Sequence, residues 1–139
     1  MTTMKSTDLR VGDVMSFNPV VIGPDEPVSE AERLNKTYRV SGLPVAEDGL
    51  AIGVISQTDL TVARSSQLIS ANWERMRVRH LMSQPPVCVH IGTSAERAAR
   101  LMLTRHIHRL VVVDDDDRAI GVVSSLDLLR MLVDDPDLL

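Results

Sequence analysis

The chain has 139 residues, of which 44% are hydrophobic and 24% are charged, and its formal net charge is −4 at pH 7. That length and balance are typical of one globular unit with a sizeable core, and they exclude a disordered or fibrous chain. The acidic charge and the scarcity of aromatic residues exclude a broad surface for long nucleic acids, which needs cations and stacking platforms.

The sequence carries no sign of secretion or membrane insertion. Its single cysteine, Cys88, cannot form an internal disulfide, so nothing in the composition requires an oxidising compartment. The first ten residues lack the apolar segment of a signal peptide. No later run approaches the roughly 20 apolar residues of a membrane span. We therefore expect a cytoplasmic chain without a membrane span.

The first half predicts a strand, a helix, a strand pair and a closing helix. PVVI (19–22) has the branched residues of a short strand, and Pro27 lies near the start of the next helix, where its missing N–H costs little. LPVA (43–46) and AIGVISQ (51–57) are apolar runs too short for helices, and the polar turn between them predicts a hairpin. The closing helix is expected from about Thr58 to Arg64.

The second half predicts the same order after a connector over residues 65–79, which is expected to be helical in part. PVCVHI (86–91) is the predicted strand, and TSAE (93–96) offers a capping box. Apolar residues spaced three and four apart over residues 95–102 predict the helix that follows. The closing helix is expected from about Leu126 to Val133, so the unit is β-α-β-β-α, twice.

The two halves are copies of each other. VMSFNPVVI (14–22) aligns with LMSQPPVCV (81–89) at an offset of 67 residues. After a one-residue insertion in the DDDD turn, AIGVISQTDL (51–60) and AIGVVSSLDL (119–128) are identical at seven of ten positions. Such self-similarity at a fixed offset indicates an internal duplication.

The chain resembles the paired cystathionine-β-synthase-type (CBS) domains, also called Bateman modules. The resemblance implies an α+β fold with two repeats, residues 1–70 with the N-terminal segment and residues 71–139 with the connector, packed pseudo-symmetrically through their sheets. It also implies two clefts that bind adenosine-containing ligands, and a disc-shaped homodimer. The motifs that carry it lie within about residues 11–64 and 78–132 and are VMSFNPV, LMSQPPV, VSGLPV, HIHRLVVVD, GVISQTDL and GVVSSLDL.

For a first cleft, the resemblance implies that a serine and an aspartate of the first repeat bind ribose and that a His-Arg pair of the second repeat binds phosphate. A carboxylate at a helix N-terminus can accept hydrogen bonds from ribose hydroxyls. Two alternatives stay open: S-x-x-D is also a capping box, and Arg109 could pair with an aspartate of the DDDD turn or with another surface carboxylate. The residues implied, with two valines at the adenine, are Ser56, Asp59, Val87, Val89, His108 and Arg109.

A second cleft is expected to differ in charge. Ser41 and Gly42 stand where His108 and Arg109 stand in the other repeat, so they supply no cation for phosphate. We therefore predict that the cleft containing Asp59 binds the tighter. The residues implied for the second cleft are Val20, Ile22, Val40, Ser41, Gly42, Ser124 and Asp127.

No catalytic or metal site is evident in the sequence. We find no serine or cysteine with an arranged base, no Walker loop and no G-x-G-x-x-G, and His106 with His108 makes a poor metal site. We therefore expect a regulatory module rather than an enzyme, with no required cofactor, that takes AMP, ADP or ATP and controls an unidentified partner protein. The alternative is an interaction module with empty clefts.

A homodimer is also expected from the closing helices. Their aliphatic residues lie on more than one side, and a two-repeat core of this size can cover only part of them. The residues concerned are Leu60, Val62, Leu128, Met131 and Leu132.

Overall fold

A computed structural model describes residues 8–15, 20–40 and 42–134, except for the side chains of residues 132 and 134. Helices and strands alternate along these residues, which confirms the α+β prediction. The elements are α1 (Val11–Val14), α2 (Val28–Tyr38), β1 (Gly42–Glu47), β2 (Leu50–Ser56), α3 (Gln57–Arg64), α4 (Gln67–Ala71), a 3₁₀ turn (Trp73–Arg75), α5 (Val78–Leu81), β3 (Cys88–His90), α6 (Ala95–Arg105), β4 (Arg109–Val113), β5 (Ala119–Ser124) and α7 (Ser125–Asp134).

Each repeat contains the antiparallel hairpin that its apolar runs predict, β1 with β2 and β4 with β5. β3 pairs with β4 in parallel and completes a three-stranded sheet in the second repeat. The strand predicted over residues 19–22 is represented by one parallel bridge between Ile22 and Val45, and residue 19 lies outside the described residues. The connector is helical in part, as expected.

The long helices α2 and α6 end in the same way. Arg39 and His106, the residues that follow them, have φ values of 53° and 54°, in the left-handed region. Glycine is usual at such positions, and a side chain there costs about 1–2 kcal/mol. At the start of α6, Ser94 is the N-cap and accepts a hydrogen bond from the Arg97 N–H, so the capping box predicted from Thr93 is wrong by one residue.

The short helices α1 and α5 each pack against the other repeat. The Val11 N–H donates to the carbonyl oxygen of Thr93 at 2.8 Å, and the Val78 N–H donates to that of Glu26 at 2.9 Å. Val11 belongs to the hydrophobic core of the second repeat, while Val78 and Trp73 belong to that of the first. The core of each repeat therefore includes residues from the other side of the boundary that the sequence predicts at residue 70.

The closing helices bury more of their apolar surface than expected. Leu60 and Leu128 are only 4% and 6% exposed, so the prediction that they lie on the surface is wrong. Helical spacing aligns Leu60 with the buried Ala63 on the face that meets the core. Met131 is half-buried, and the side chain of Leu132 lies outside the described residues. The exposed aliphatic side chains of these two helices are Val62, Leu126, Leu129 and Val133.

Across the described ranges, no helix combines the length and the apolar character that a membrane crossing requires.

Candidate ligand clefts between the repeats

Both closing helices begin with the same reciprocal pair of side chains. At α3, the Ser56 N–H donates to Oδ2 of Asp59 at 2.8 Å, and the Asp59 N–H donates to Oγ of Ser56 at 3.0 Å. At α7, Ser124 and Asp127 make the same two hydrogen bonds, at 2.8 and 3.2 Å. The capping-box alternative is therefore present in both repeats.

Capping leaves part of each carboxylate available. Oδ1 of Asp59 accepts no hydrogen bond from another residue in the described part of the chain. Oδ1 of Asp127 lies 3.7 Å from Nη1 of Arg130, which is an ion pair but longer than a hydrogen bond. An ionised carboxylate has about four acceptor positions. Each aspartate can therefore hold its helix and still accept hydrogen bonds from a ligand.

A cleft of about 150 Å³ opens beside the cap of α7. One wall is the segment that leads into β1, and the other is β5 with the first turns of α7. Asp127 is only 8% exposed, so a hydrogen bond between its carboxylate and a ligand would be largely shielded from water. The apolar walls include Val20, Val40, Val122 and Leu126, and the polar lining consists of Arg39, Ser124, Asp127 and Arg130.

Most of the residues implied for the second cleft surround this cleft. Val20, Val40, Gly42, Ser124 and Asp127 all line it. Ile22 does not line it, because its backbone bridges to a buried β1 residue and its side chain, 4% exposed, packs in the core of the first repeat. Ser41 lies outside the described residues.

The expectation that this cleft lacks a cation is wrong, since Arg39 and Arg130 both line it. Arg130 follows Asp127 by three residues on α7, and that helical spacing could have predicted their proximity. No sequence spacing predicts that Arg39 lies at this cleft, because its position depends on the left-handed turn at the end of α2.

Among the residues implied for the first cleft, Arg109 extends its side chain from the second repeat to the first. A Cβ atom built on Gly42 would lie 3.0 Å from Cδ of Arg109 and 3.3 Å from its Nε. Gly42 is the cross-strand partner of Ser56. The arginine stem therefore passes beside the strand position that carries the serine of the first cap.

The other residues implied for the first cleft differ in burial. Asp59 and Val87 are half-buried, and His108, the residue before β4, is exposed. Val89 is 8% exposed and packs in the core of the second repeat, as its repeat equivalent Ile22 does in the first. Its apolar side chain is therefore committed to the core rather than to a ligand.

The DDDD turn is too far along β4 to pair with Arg109. Asp114 follows Arg109 by five positions, and a strand rises about 3.3 Å per residue, so the two lie about 16 Å apart along it. Oδ1 of Asp114 instead accepts the N–H groups of Asp116 and Arg118, and Asp115 pairs with His90. Among the described residues, no group of three or more potential ligands could hold a metal ion.

Comparison with known proteins agrees with this architecture. The profile of the CBS domain matches residues 11–66 and 78–134. The chain belongs to the CBS domain family. It contains two CBS domains in tandem, as the internal duplication and the resemblance predict.

Solved CBS pairs share the fold. CBSX2, a CBS-pair protein from Arabidopsis thaliana, is 32% identical with a TM-score of 0.71, over 89% of this chain and 94% of that one. Its complex with AMP is matched at 33% identity, with the same TM-score, over 89% of this chain and 96% of that one. A CBS pair solved with 5′-methylthioadenosine and S-adenosyl-L-methionine shares the fold at 22% identity, with a TM-score of 0.78 over 90% and 96% of the two chains.

Among curated relatives, inosine-5′-monophosphate dehydrogenase from Methanocaldococcus jannaschii is 30% identical over 123 residues. That match includes 87% of this chain but 23% of the enzyme. The chain therefore spans about a quarter of that relative's length.

Proposed function

We propose that this CBS pair is a cytoplasmic regulatory module that binds AMP, ADP or ATP between its repeats and passes ligand occupancy to a partner protein. The observation that carries the proposal is the cleft beside Asp127, which joins a shielded carboxylate, apolar walls and guanidinium groups. A nucleotide needs these three kinds of surface for its ribose, its base and its phosphate. The AMP complex of CBSX2, at 33% identity, supports the same ligand class.

The proposed roles follow the chemistry of each side chain. In one cleft, Asp127 accepts hydrogen bonds from ribose hydroxyls while Val20 and Val40 contact the base. In the other, Asp59 takes the ribose and Arg109 takes phosphate, with the exposed His108 beside it. The half-buried Val87, the repeat equivalent of Val20, contacts the base there.

Calorimetric titration with AMP, adenosine and S-adenosylmethionine tests the ligand class. AMP should bind more tightly than adenosine, because only AMP offers a phosphate to the cations, and S-adenosylmethionine should bind poorly. Arg109→Ala should weaken AMP binding in the Asp59 cleft by about 1.5–3 kcal/mol, the range for hydrogen bonds to charged groups. Equal affinities for AMP and adenosine would assign Arg109 a structural role.

A thermal shift screen separates this function from an interaction module with empty clefts. A nucleotide present at 100 times its Kd should stabilise the folded chain by about 2.7 kcal/mol. Regulation of a partner further requires that the nucleotide bind two arrangements of the repeats with different affinity. No stabilisation by any adenine nucleotide would favour the interaction module.

We also propose that the module is a homodimer. The argument rests on the exposed aliphatic side chains of the closing helices, among which Val62, Leu126 and Val133 are each more than 60% exposed. A second copy of the chain that packed against these helices would remove their exposed apolar side chains from water. Light scattering at micromolar concentration should give twice the 15.3 kDa of the chain, and a monomer mass would contradict the proposal.

A further inference from the structure

We infer that Arg39 and Arg130 are the phosphate-binding and specificity-determining residues of the Asp127 cleft, so that this cleft selects phosphorylated over unphosphorylated nucleosides. This deepens the proposed function and rests on it for the nucleoside. The anion-binding part stands on the cleft itself, where two guanidinium side chains from different repeats line one cavity with a buried carboxylate.

Arg130 is placed to alternate between the protein and a ligand. Its Nη1 lies 3.7 Å from Oδ1 of Asp127, and its side chain is 75% exposed, so it is held loosely. A phosphate would offer it shorter, charge-assisted hydrogen bonds. Movement of Arg130 to the phosphate would release Oδ1 of Asp127 for a ribose hydroxyl, so the two contacts support each other.

Arg39 enters the same cleft from the opposite repeat. It is the residue after α2, in the left-handed conformation, and its N–H donates to the carbonyl oxygen of Asn35. The fold does not require a guanidinium there, because the equivalent residue of the second repeat, His106, has the same conformation. The equivalent of Arg130 in the first repeat is Val62. Both arginines are therefore particular to this cleft.

The cleft also has a favourable electrostatic setting for an anion. α7 has ten residues and begins at the cleft, so the N–H groups of its first turn add positive potential beside Ser124. The carboxylate of Asp127 opposes an anion, but its Oδ2 is already engaged by the Ser124 N–H. Two full positive charges and the helix N-terminus exceed that single negative charge.

The test compares the wild-type chain with the double variant Arg39→Asn/Arg130→Gln. Asparagine tolerates the left-handed conformation and glutamine is a good helix former, so both substitutions remove charge with little change in backbone preference. The matched control is Arg33→Gln/Arg100→Gln, which removes two exposed helix arginines that pair with the acidic neighbours Glu30 and Glu96 on their own helices. Circular dichroism melts establish that all three chains fold.

Two probes are used with each chain. Pyrophosphate is titrated while the methyl resonances of Val122 and Leu126, which line the cleft, are followed by NMR. AMP and adenosine are titrated with the same resonances as the reporter. We expect the double variant to lose the pyrophosphate response and to bind AMP at this cleft at least tenfold more weakly, with adenosine and the control variant unchanged.

The outcomes separate the two proposals. An absent pyrophosphate response in the wild type, or an equal one in the double variant, overturns the inference. Equal AMP binding by the double variant and the wild type overturns it too, while leaving the proposed function in place. A pyrophosphate response that depends on both arginines, in a chain that binds neither AMP nor adenosine, supports the anion site and contradicts the adenine nucleotide function.

Discussion

The two clefts share their caps and differ in the origin of their cations. Each has a serine and an aspartate that close a capping box, with hydrogen bonds of 2.8–3.2 Å. We propose that the Asp59 cleft takes its guanidinium from Arg109, the first residue of β4. The Asp127 cleft takes its guanidinium groups from Arg39 and Arg130.

This difference separates what the fold needs from what a ligand needs. The caps recur because every helix start must satisfy its free N–H groups, so Ser-x-x-Asp on its own says little about ligands. The cations occupy positions where the two repeats differ, namely 39 against 106, 42 against 109 and 130 against 62. The tighter binding predicted for the Asp59 cleft rested on His108 and Arg109 and on the absence of a cation from the other cleft, and it no longer follows because Arg39 and Arg130 line the Asp127 cleft.

The largest effect is expected from removing one aspartate at a time. Asp127→Ala should weaken nucleotide binding at its own cleft by about 10- to 100-fold, because it removes charge-assisted hydrogen bonds to the ligand, and it should spare the other cleft. Asp59→Ala should do the reverse. Calorimetry on each variant should therefore retain one of two binding transitions.

Loss of the cap must be separated from loss of the ligand contact. Either alanine variant should also lower the free energy of unfolding by about 1 kcal/mol without ligand. Asp127→Asn is the control, since an amide oxygen can still accept the Ser124 N–H but carries no charge. A single substitution that abolished both transitions would show that the clefts are not independent.

A second comparison concerns a buried polar residue of the first repeat whose equivalent in the second repeat is apolar. Asn35 on α2 is 6% exposed, and neither polar atom of its side chain has a hydrogen-bond partner in the described residues. Its repeat equivalent on α6 is Met102, 5% exposed. Because an unsatisfied buried amide costs about 1–3 kcal/mol, Asn35→Leu, which keeps the branching at Cγ, should raise the free energy of unfolding by about 1–2 kcal/mol.

Urea unfolding followed by Trp73 fluorescence measures this change. Asn35→Met, which copies the second repeat, is the companion variant, and the neighbouring groove of about 190 Å³ gives the longer side chain room. Met102→Asn should destabilise the chain. A loss of stability in both Asn35 variants would mean that the amide is satisfied by a water molecule or a second chain.

A smaller effect is expected from a polar cluster that the second repeat lacks. Glu32 accepts hydrogen bonds from Nε and Nη2 of Arg64 and from Nε1 of Trp73, and the guanidinium lies 4.2 Å from the centre of the indole. The hydrogen bond from Arg64 lowers the pKa of Glu32 below its usual 4.5, against the opposing effect of burial. The equivalent of Glu32 in the second repeat is Ala99.

The sign of the pH dependence follows from that lowered pKa. The contribution of Glu32 to stability is fully present above pH 4.5 and is lost as the pH falls through the pKa of the folded state. The free energy of unfolding of Glu32→Ala should therefore fall less than that of the wild type as the pH is lowered. We expect less than about 1 kcal/mol, since Arg64 is half-exposed, with unfolding measured between about pH 7 and pH 3. If the free energy of unfolding of Glu32→Ala fell with decreasing pH as steeply as that of the wild type, the role given to Glu32 would be contradicted. Glu96→Gln, which removes an exposed carboxylate, is the control.

The sequence predicted the repeats, the hairpins and the closing helices because these depend on local pattern. Helical and strand periodicity placed Thr58–Arg64 within one residue of the observed start of α3. The residues that sequence reasoning missed depend on contacts between repeats. Arg39 lies after α2 in sequence but lines a cleft against α7. Ile22 was predicted to line the second cleft, but it bridges to Val45 and its side chain packs in the core of the first repeat.

Burial likewise could not be assigned from a single helix. The side of α3 and α7 that meets the core depends on how each helix crosses its hairpin, so Leu60 and Leu128 were wrongly expected at the surface. The crossing of α1 to the second repeat has no sequence signal at all, since its contacts span 82 residues from Val11 to Thr93.

That crossing sets the order of events during synthesis. α1 leaves the ribosome before its partners, because Thr93, which accepts the Val11 N–H, follows 82 positions later and takes about 4–16 s to reach at about 5–20 residues per second. Through that interval Val11, fully buried in the finished chain, has no core to enter. α5 has the opposite order, because Glu26, which accepts the Val78 N–H, is made before it. The same kind of crossing between repeats therefore makes α1 wait for its partner during synthesis, whereas α5 does not wait.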